Sequence, residues 1–223
     1  QMYRYARLLS DRGARVTLQV KTPLVSLLQD ADERIAVIGP DDPAGPFDLH
    51  CPMLSLPRAF QTVVETLPAL ENYLKNNPQL TKEWEERLGV KPYPKVGLVW
   101  NGSAVHENDL NRSIALKEIM PLLDLKASFV CLQNEIRPCD TDLFGETPQI
   151  SYYGDFLNDF RDTAALIDLM DVVVTVDTSV AHLAGALGKP VWIMLPFKPD
   201  WRWMLESDST PWYPTARLFR QPS

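Results

Sequence analysis

The sequence predicts an α/β fold with parallel sheets, on three observations. Short apolar runs recur at 35–38, 95–100, 128–132, 172–176 and 191–194, with the length and composition of strands buried on both faces. They alternate with stretches of helical period, the order of βαβ units. The stretch 168–194 writes one such unit out in full as strand, capped turn, helix, glycine stop and strand.

Residues 1–9 read as helix with no N-cap and no strand before it, as expected of a chain cut inside its first unit. Residues 15–20 alternate as a strand. Thr22-Pro23 opens a helix to residue 29, with Pro at its first position, and 35–38 is a second strand. The three Pro, two Gly and two Asp of 39–47 make a loop, and 48–55 is expected as a further strand. Pro57, Pro68, Pro78, Pro92 and Pro94 then punctuate the chain. Short helices are expected at 59–65, 69–75 and 81–88, the last packing through Trp84 and Leu88 and stopped by Gly89. Lys91-Pro92-Tyr93-Pro94 reads as a linker, dividing the chain into a first domain, 1–91, and a second, 92–223.

The second domain opens on the strand 95–100. In an open parallel sheet ligands bind beyond the carboxyl ends of strands. The loop at that end carries Asn101, Gly102, Ser103, His106, Asn108 and Arg112. Arg112 is a planar, permanently charged fork suited to a diphosphate. The alternative is a solvated loop in which Ser113 caps a helix at 115–123. Strand 128–132 ends at Gln133, placed either to contact a nucleoside or to brace the loop. Residues 134–149 read as loop, and 159–169 as a helix with Phe160, Ala164, Leu166, Ile167 and Leu169 on its core face.

In the unit 168–194, Asp177, Thr178 and Ser179 end a strand and begin a helix. That start offers free N–H groups and about half a positive charge, a site for phosphate. Asp177 is placed to accept from a sugar hydroxyl, and His182 lies in the first turn. The alternative is that these three residues only cap the helix and His182 is an ordinary surface histidine. Gly188 stops the helix before Lys189-Pro190 and the strand 191–194. Beyond lies an aromatic, Pro-rich segment, with Trp192, Trp201, Trp203 and Trp212 falling within 192–212. It is either a packing plug or the wall of a substrate cleft. Lys198 and Arg202 add positive charge there.

Of the 223 residues, 45% are apolar, enough for a substantial core, and the net charge is −7. An extended nucleic-acid surface is therefore not expected, since it needs a basic stripe; a small anionic ligand needs only a local positive site. Cys51, Cys131 and Cys139 have no metal or disulfide spacing, which points to a reducing, cytoplasmic compartment. No apolar run reaches the length of a transmembrane segment. No metal and no cofactor is expected, on the reading that neither an Asp-x-Asp nor a His/Cys cluster with ligand spacing is present.

The unit D-T-S-V-A-H-L-A-G-A-L-G-K-P-V at 177–191 resembles the D-[TS]-[GS]-x-x-H-L-A-x-A-L-x-x-P segment of family 9 glycosyltransferases, the heptosyltransferase group. Its third residue, usually Gly there, is Ser179 here. Residues 159–173 fit a family pattern with Asp159, Asp162 and Thr163 in register. The runs V-G-L-V-W-x-G-x-x-x-H-x-N-D-x-x-R-S at 96–113 and W-R-W-x-L with P-W-Y-P-T-x-R-L-F-R-Q at 201–221 are similar to members linked to tetratricopeptide repeats. Residues 1–9 resemble the helix that follows a Gly-Asp-x-x-Gln loop in those chains.

The resemblance implies two Rossmann-like lobes in the GT-B arrangement. Residues 1–91 would be an incomplete acceptor-side lobe, and 92–223 a nucleotide-sugar-binding lobe truncated at its end. It implies a bacterial, metal-independent transferase moving a sugar from a nucleotide-sugar donor, ADP-heptose-like or related, to a glycan or protein acceptor. The donor would be held by Asn101, Gly102, Ser103, His106, Asn108, Arg112, Gln133, Asp177, Thr178, Ser179 and His182. No catalytic residue is assigned, because the acidic loop thought to activate the acceptor in the family would lie upstream of Gln1. A chain without that loop is expected to be inactive by itself. The alternative is a non-catalytic nucleotide-sugar-binding or scaffolding module fused to repeats.

Overall fold

A computed structural model describes residues 1–68 and 72–222. The first part is a two-stranded parallel sheet, β1 (Val16–Gln19) and β2 (Ile35–Ile38), with Val16 opposite Ile35. Helix α1 (Tyr3–Asp11) precedes it, and α2 (Val25–Ala31) connects the strands after a 3-10 turn holding Pro23.

The second sheet has six strands: β3 (Lys95–Val99), β4 (Ser128–Cys131), β5 (Ile150–Tyr152), β6 (Val172–Val176), β7 (Val191–Leu195) and β8 (Ala216–Arg220). All neighbours are parallel, in the order β5-β4-β3-β6-β7-β8. The chain runs outward from β3 through β4 to β5, then returns to β6 on the other side of β3. Strand order thus reverses between β3 and β6, and that junction is where an open α/β sheet forms its ligand crevice.

Alternation along the strands builds a core on each face. Val173, Val191, Ile193 and Leu218 pack with α8 (Phe160–Asp168) and α9 (Ser179–Ala186). Leu98, Phe129, Cys131 and Val174 pack with Leu116 and Ile119 of α6 (Leu116–Ile119). Asp159 caps α8, accepting from the Arg161 and Asp162 amides. On α4 (Pro78–Leu88), Asn77 is the cap and Pro78 starts the helix. Trp84, fully buried, donates from Nε1 to Asp162 Oδ1 at 3.0 Å and so ties α4 to α8.

Several expectations need correction. No strand forms at 48–55: there are only a 3-10 turn, Met53–Ser55, and the short α3 (Leu56–Ala59). Pro52 lacks an N–H to donate, and Leu49 is 92% exposed, so nothing pairs there. The helix expected at 59–65 is therefore displaced to α3, followed by a 3-10 turn, Val64–Thr66. In the helix expected at 69–75, residues 69–71 lie outside the described residues, and 72–75 are not helical. The one at 115–123 is a single α turn, α6, continued as a 3-10 turn, Met120–Asp124, because Pro121 cannot supply an α-helical N–H. The stretch expected as loop, 134–149, contains a helix, Thr141–Gly145. The edge strands β5 and β8 escaped the sequence reading; in β8 the aromatic, Pro-rich surroundings hid the alternation of buried Ala216 and Leu218 with exposed Arg217 and Phe219.

Candidate functional site

The carboxyl ends of β3 and β6 are neighbours, so the loop after β3 faces the turn that starts α9. Trp100, fully buried, donates its indole N–H to Asp140 Oδ2 at 2.9 Å. The Asn101 side chain donates to the same oxygen at 2.9 Å, and the Leu116 amide to Oδ1 at 3.1 Å. Asp140, not Ser113, thus serves the start of α6. Ser113 instead donates to Asp109 Oδ1 at 2.8 Å and accepts from the Gly102 amide at 3.0 Å.

Gln133 is a brace. Its Oε1 accepts from the Trp100 and Asn101 amides at 2.8 and 3.0 Å, and its Nε2 donates to the Glu135 carbonyl at 3.3 Å. At 7% exposure, with both ends of its carboxamide bonded to the protein, Gln133 follows the bracing alternative. The outer loop is bonded to itself: His106 Nδ1 accepts from the Asn108 amide at 3.1 Å, and Asn108 Oδ1 accepts from Asn111 at 2.7 Å. His106 and Ser103 are exposed on this rim.

Arg112 joins the two loops. It sits in the short α5 (Asp109–Arg112), and its Nη1 donates to the Asp177 carbonyl at 2.8 Å across the β3–β6 junction. Nη2 donates to the Ser103 carbonyl at 3.3 Å, and Nε lies 3.6 Å from Asp109 Oδ1. Nε is buried without a hydrogen-bond partner. Gly102 lies flat against the guanidinium, where a Cβ would come within 2.4 Å of Nη2. We expect Gly102→Ala to displace Arg112. The melting temperature should change little, since Gly102 is half-exposed, while any diphosphate that uses the Arg112 fork should lose affinity by about the same factor as on losing the arginine. Calorimetry on the two variants side by side checks this.

Arg137 was not anticipated. Its Nη2 donates to the Gly102 carbonyl at 2.7 Å and to Asp109 Oδ2 at 2.6 Å. Burial pushes the pKa of Asp109 up, yet the Ser113 hydroxyl and the charges of Arg137 and Arg112 outweigh this and hold the carboxyl below its usual value. The spacing Asp109, Arg112, Ser113 on one helical face was the available signal; Arg137 gave none, being separated from this group by a strand.

Across the junction, Thr178 caps α9, accepting from the Val180 amide at 3.2 Å and bonding the Thr175 hydroxyl at 3.2 Å. Its side chain is thereby committed, and Ser179 is the exposed residue of the turn. Burial raises the pKa of Asp177; the nearby Trp203 indole offsets part of this without good hydrogen-bond geometry, and Asp200 adds to it.

His182 is not the surface histidine of the alternative reading. Its ring stacks on Trp203 at 5.0 Å and 10°, and Nδ1 shares a hydrogen bond with the Tyr213 hydroxyl at 3.0 Å. Burial lowers its pKa from 6.5 to about 3, so it is neutral near pH 7. The folded state refuses a proton that the unfolded chain accepts, so this contribution to stability is complete above pH 6.5 and disappears as pH falls toward 3. His182→Gln should flatten the fall of the urea midpoint across that window by about one proton, or roughly 1.4 kcal/mol per pH unit at most. An unchanged slope would contradict the burial of this ring.

The aromatic segment divides. Trp203 (0% exposed) and Trp212 (5%) are packed inside, whereas Trp192 (44%) and Trp201 (59%) are at the surface. Trp212 lies beneath the buried Arg4, whose guanidinium is 5.3 Å from its ring. Arg202 pairs with Asp200 at 2.8 Å and donates to Gln1 at 2.8 Å.

Among the described residues no group of three or more His, Cys, Asp or Glu is arranged to hold a metal ion. The sequence does hold two Asp-x-Asp triplets, at 30–32 and 140–142, which corrects that part of the expectation; Asp32 pairs with Arg34, and Asp140 holds the α6 start. A cavity of about 450 Å³ lined by Asn76, Lys82, Glu85, Asp168 and Leu187 lies at the opposite end of the sheet. It is far from the junction and takes no part in this site. No described helix is long and apolar enough to cross a membrane.

An open parallel sheet whose strand order reverses at an arginine-bridged junction is an α/β fold of the Rossmann-like kind. The model of glycosyltransferase family 9 (heptosyltransferase) matches residues 158–194, from the start of α8 through β6 and α9 into β7. Protein FlbA of Caulobacter vibrioides (strain ATCC 19089 / CIP 103742 / CB 15) is 29% identical over 170 residues, covering 72% of this chain and 28% of that protein. Two solved structures are also similar. The E. coli ADP-heptose lps heptosyltransferase II has 17% identity and a TM-score of 0.49, over 71% of this chain and 49% of that one. The glycosyl transferase family 9 protein from Veillonella parvula DSM 2008 has 14% identity and a TM-score of 0.48, over 76% and 47%. The chain therefore spans 28% of the curated relative and about half of each solved chain.

Proposed function

We propose that the chain is the donor-binding part of a glycosyltransferase that moves a sugar from a nucleotide-sugar, ADP-heptose-like or related, to a glycan or protein acceptor. In this reading residues 92–223 form the donor lobe, and residues 1–91 belong to the acceptor-side lobe of a GT-B arrangement. The protein is a bacterial, cytoplasmic enzyme of the repeat-linked kind. The observation that carries the reading is Arg112, whose fork spans the β3–β6 junction while its Nε makes no hydrogen bond and stands 3.6 Å from Asp109 Oδ1.

In the reaction the bond between the sugar's anomeric carbon and the diphosphate breaks, and negative charge grows on the departing phosphate. Arg112, the Ser179 amide and the α9 N-terminus meet that charge, without a metal. A donor of this kind, aimed at charge that develops in the transition state, is worth a few kcal/mol. Asp177 accepts from a sugar hydroxyl. Neutral His182 supports the first turn of α9 from below.

The test is a melting series with ADP- and UDP-sugars, followed by product analysis with candidate acceptors. Ligand at 100 times its dissociation constant adds about 2.7 kcal/mol of stability. A chain unaffected by every nucleotide-sugar at millimolar concentration would refute the donor site. Binding without transfer would favour the non-catalytic module.

A further inference from the structure

We infer that Arg137 is a positioning residue for the donor's diphosphate: by neutralising Asp109 it leaves the charge of Arg112 unspent. This rests on reading the β3–β6 junction as a diphosphate site. Asp109 is 6% exposed and lies between two guanidinium groups. Its short contact is to Arg137, at 2.6 Å from Oδ2. Its Oδ1 is taken up by the Ser113 hydroxyl at 2.8 Å, while Arg112 Nε stands off at 3.6 Å. The hydrogen bonds that Arg112 does make go to the main-chain carbonyls of Asp177 and Ser103. No carboxylate is within hydrogen-bond reach of it, and its Nε is left over.

Without Arg137, Asp109 would be a buried carboxylate whose nearest cation is Arg112. A buried charge deprived of its partner takes the next available one. Arg112 would close the 3.6 Å gap, leave the Asp177 carbonyl, and bring an already neutralised fork to the crevice. Arg137 also holds the Gly102 carbonyl at 2.7 Å, on the residue against which the Arg112 guanidinium lies. Loop shape and charge are thus set by one side chain, and they are separable experimentally.

The experiment is isothermal calorimetry on the whole 223-residue chain with ADP, UDP and inorganic pyrophosphate, and with adenosine and uridine as uncharged controls. Arg137→Gln should weaken the better-bound diphosphate and pyrophosphate at least tenfold and leave nucleoside binding unchanged. Arg137→Gln combined with Asp109→Asn removes both charges and should recover affinity to within about threefold of the parent, despite the loss of two further bonds. A purely structural role predicts the opposite, that the double variant binds no better than Arg137→Gln. Asp109→Asn alone leaves both arginines unspent and should bind pyrophosphate at least as tightly as the parent. It carries the test if Arg137→Gln does not fold, and a tenfold loss there overturns the inference. If the parent binds diphosphates and Arg137→Gln binds them equally well, this inference fails alone. If the parent binds none of the three anions, the donor-site reading fails with it.

Discussion

With the donor held as proposed, Arg112→Ala is expected to weaken nucleotide-sugar binding by at least tenfold and up to about a hundredfold. A charge-assisted hydrogen bond contributes about 1.5–3 kcal/mol, and each 1.4 kcal/mol is a factor of ten in affinity. The substitution also removes the link between the Ser103 and Asp177 carbonyls, so the two loops lose their mutual register. Arg112→Lys separates these effects. It keeps a charge but not the planar fork, and should recover only part of the affinity. Calorimetry with the preferred donor reads both variants. Wild-type affinity in Arg112→Ala would remove the diphosphate from this crevice.

Trp203→Ala is expected to be the most destabilising single change in the segment after β7, by about 3–5 kcal/mol from the lost burial and the cavity left behind. Stability of a domain is only about 5–15 kcal/mol in total, so the urea midpoint should fall steeply. The indole is fully buried and its Nε1 makes no hydrogen bond of good geometry, so the loss is chiefly one of packing, with Asp177 losing the nearby indole as well. His182 would lose the ring stacked on it at 5.0 Å, and its pKa should climb from about 3 back toward 6.5, visible in the proton resonances of the ring. Trp201→Ala is the control. At 59% exposure it should cost no more than about 0.5 kcal/mol. Equal effects of the two substitutions would show that Trp203 is not the plug.

The second sheet was legible where its strands are buried on both faces. The 172–176 run, apolar except for Thr175, and the 96–99 run stand out because helices cover the sheet above and below, and the turn between β6 and α9 announces itself through Thr178. Strands at the edge have no such signature. β8 presents only Ala216 and Leu218 to the core, and β5 is a three-residue strand. The site was half legible. Arg112, Asp177 and Ser179 follow from the rule that ligands gather at strand ends. The supporting layer of Asp140, Arg137 and Trp203 comes from elsewhere in the chain and is joined to the site only by folding. The alternatives for Gln133 and His182 stayed open for a related reason: sequence separation is all that the chain displays, and the surroundings of both are set by what packs over them. Trp203 and Tyr213, more than 20 residues beyond His182 in the chain, lie against its ring, and burial is the main cause of its lowered pKa.

The reversal of strand order between β3 and β6 also bears on how the molecule comes to be. Val96 lies opposite Val172, so the central pairing waits for the whole of β4, β5 and their connections to be threaded, and long-range closure of this kind slows the search for the native topology. An occupant seated there would act as a clasp on the most distant pairing in the sheet, and the rate at which the chain comes undone would fall before any local helix noticed its presence.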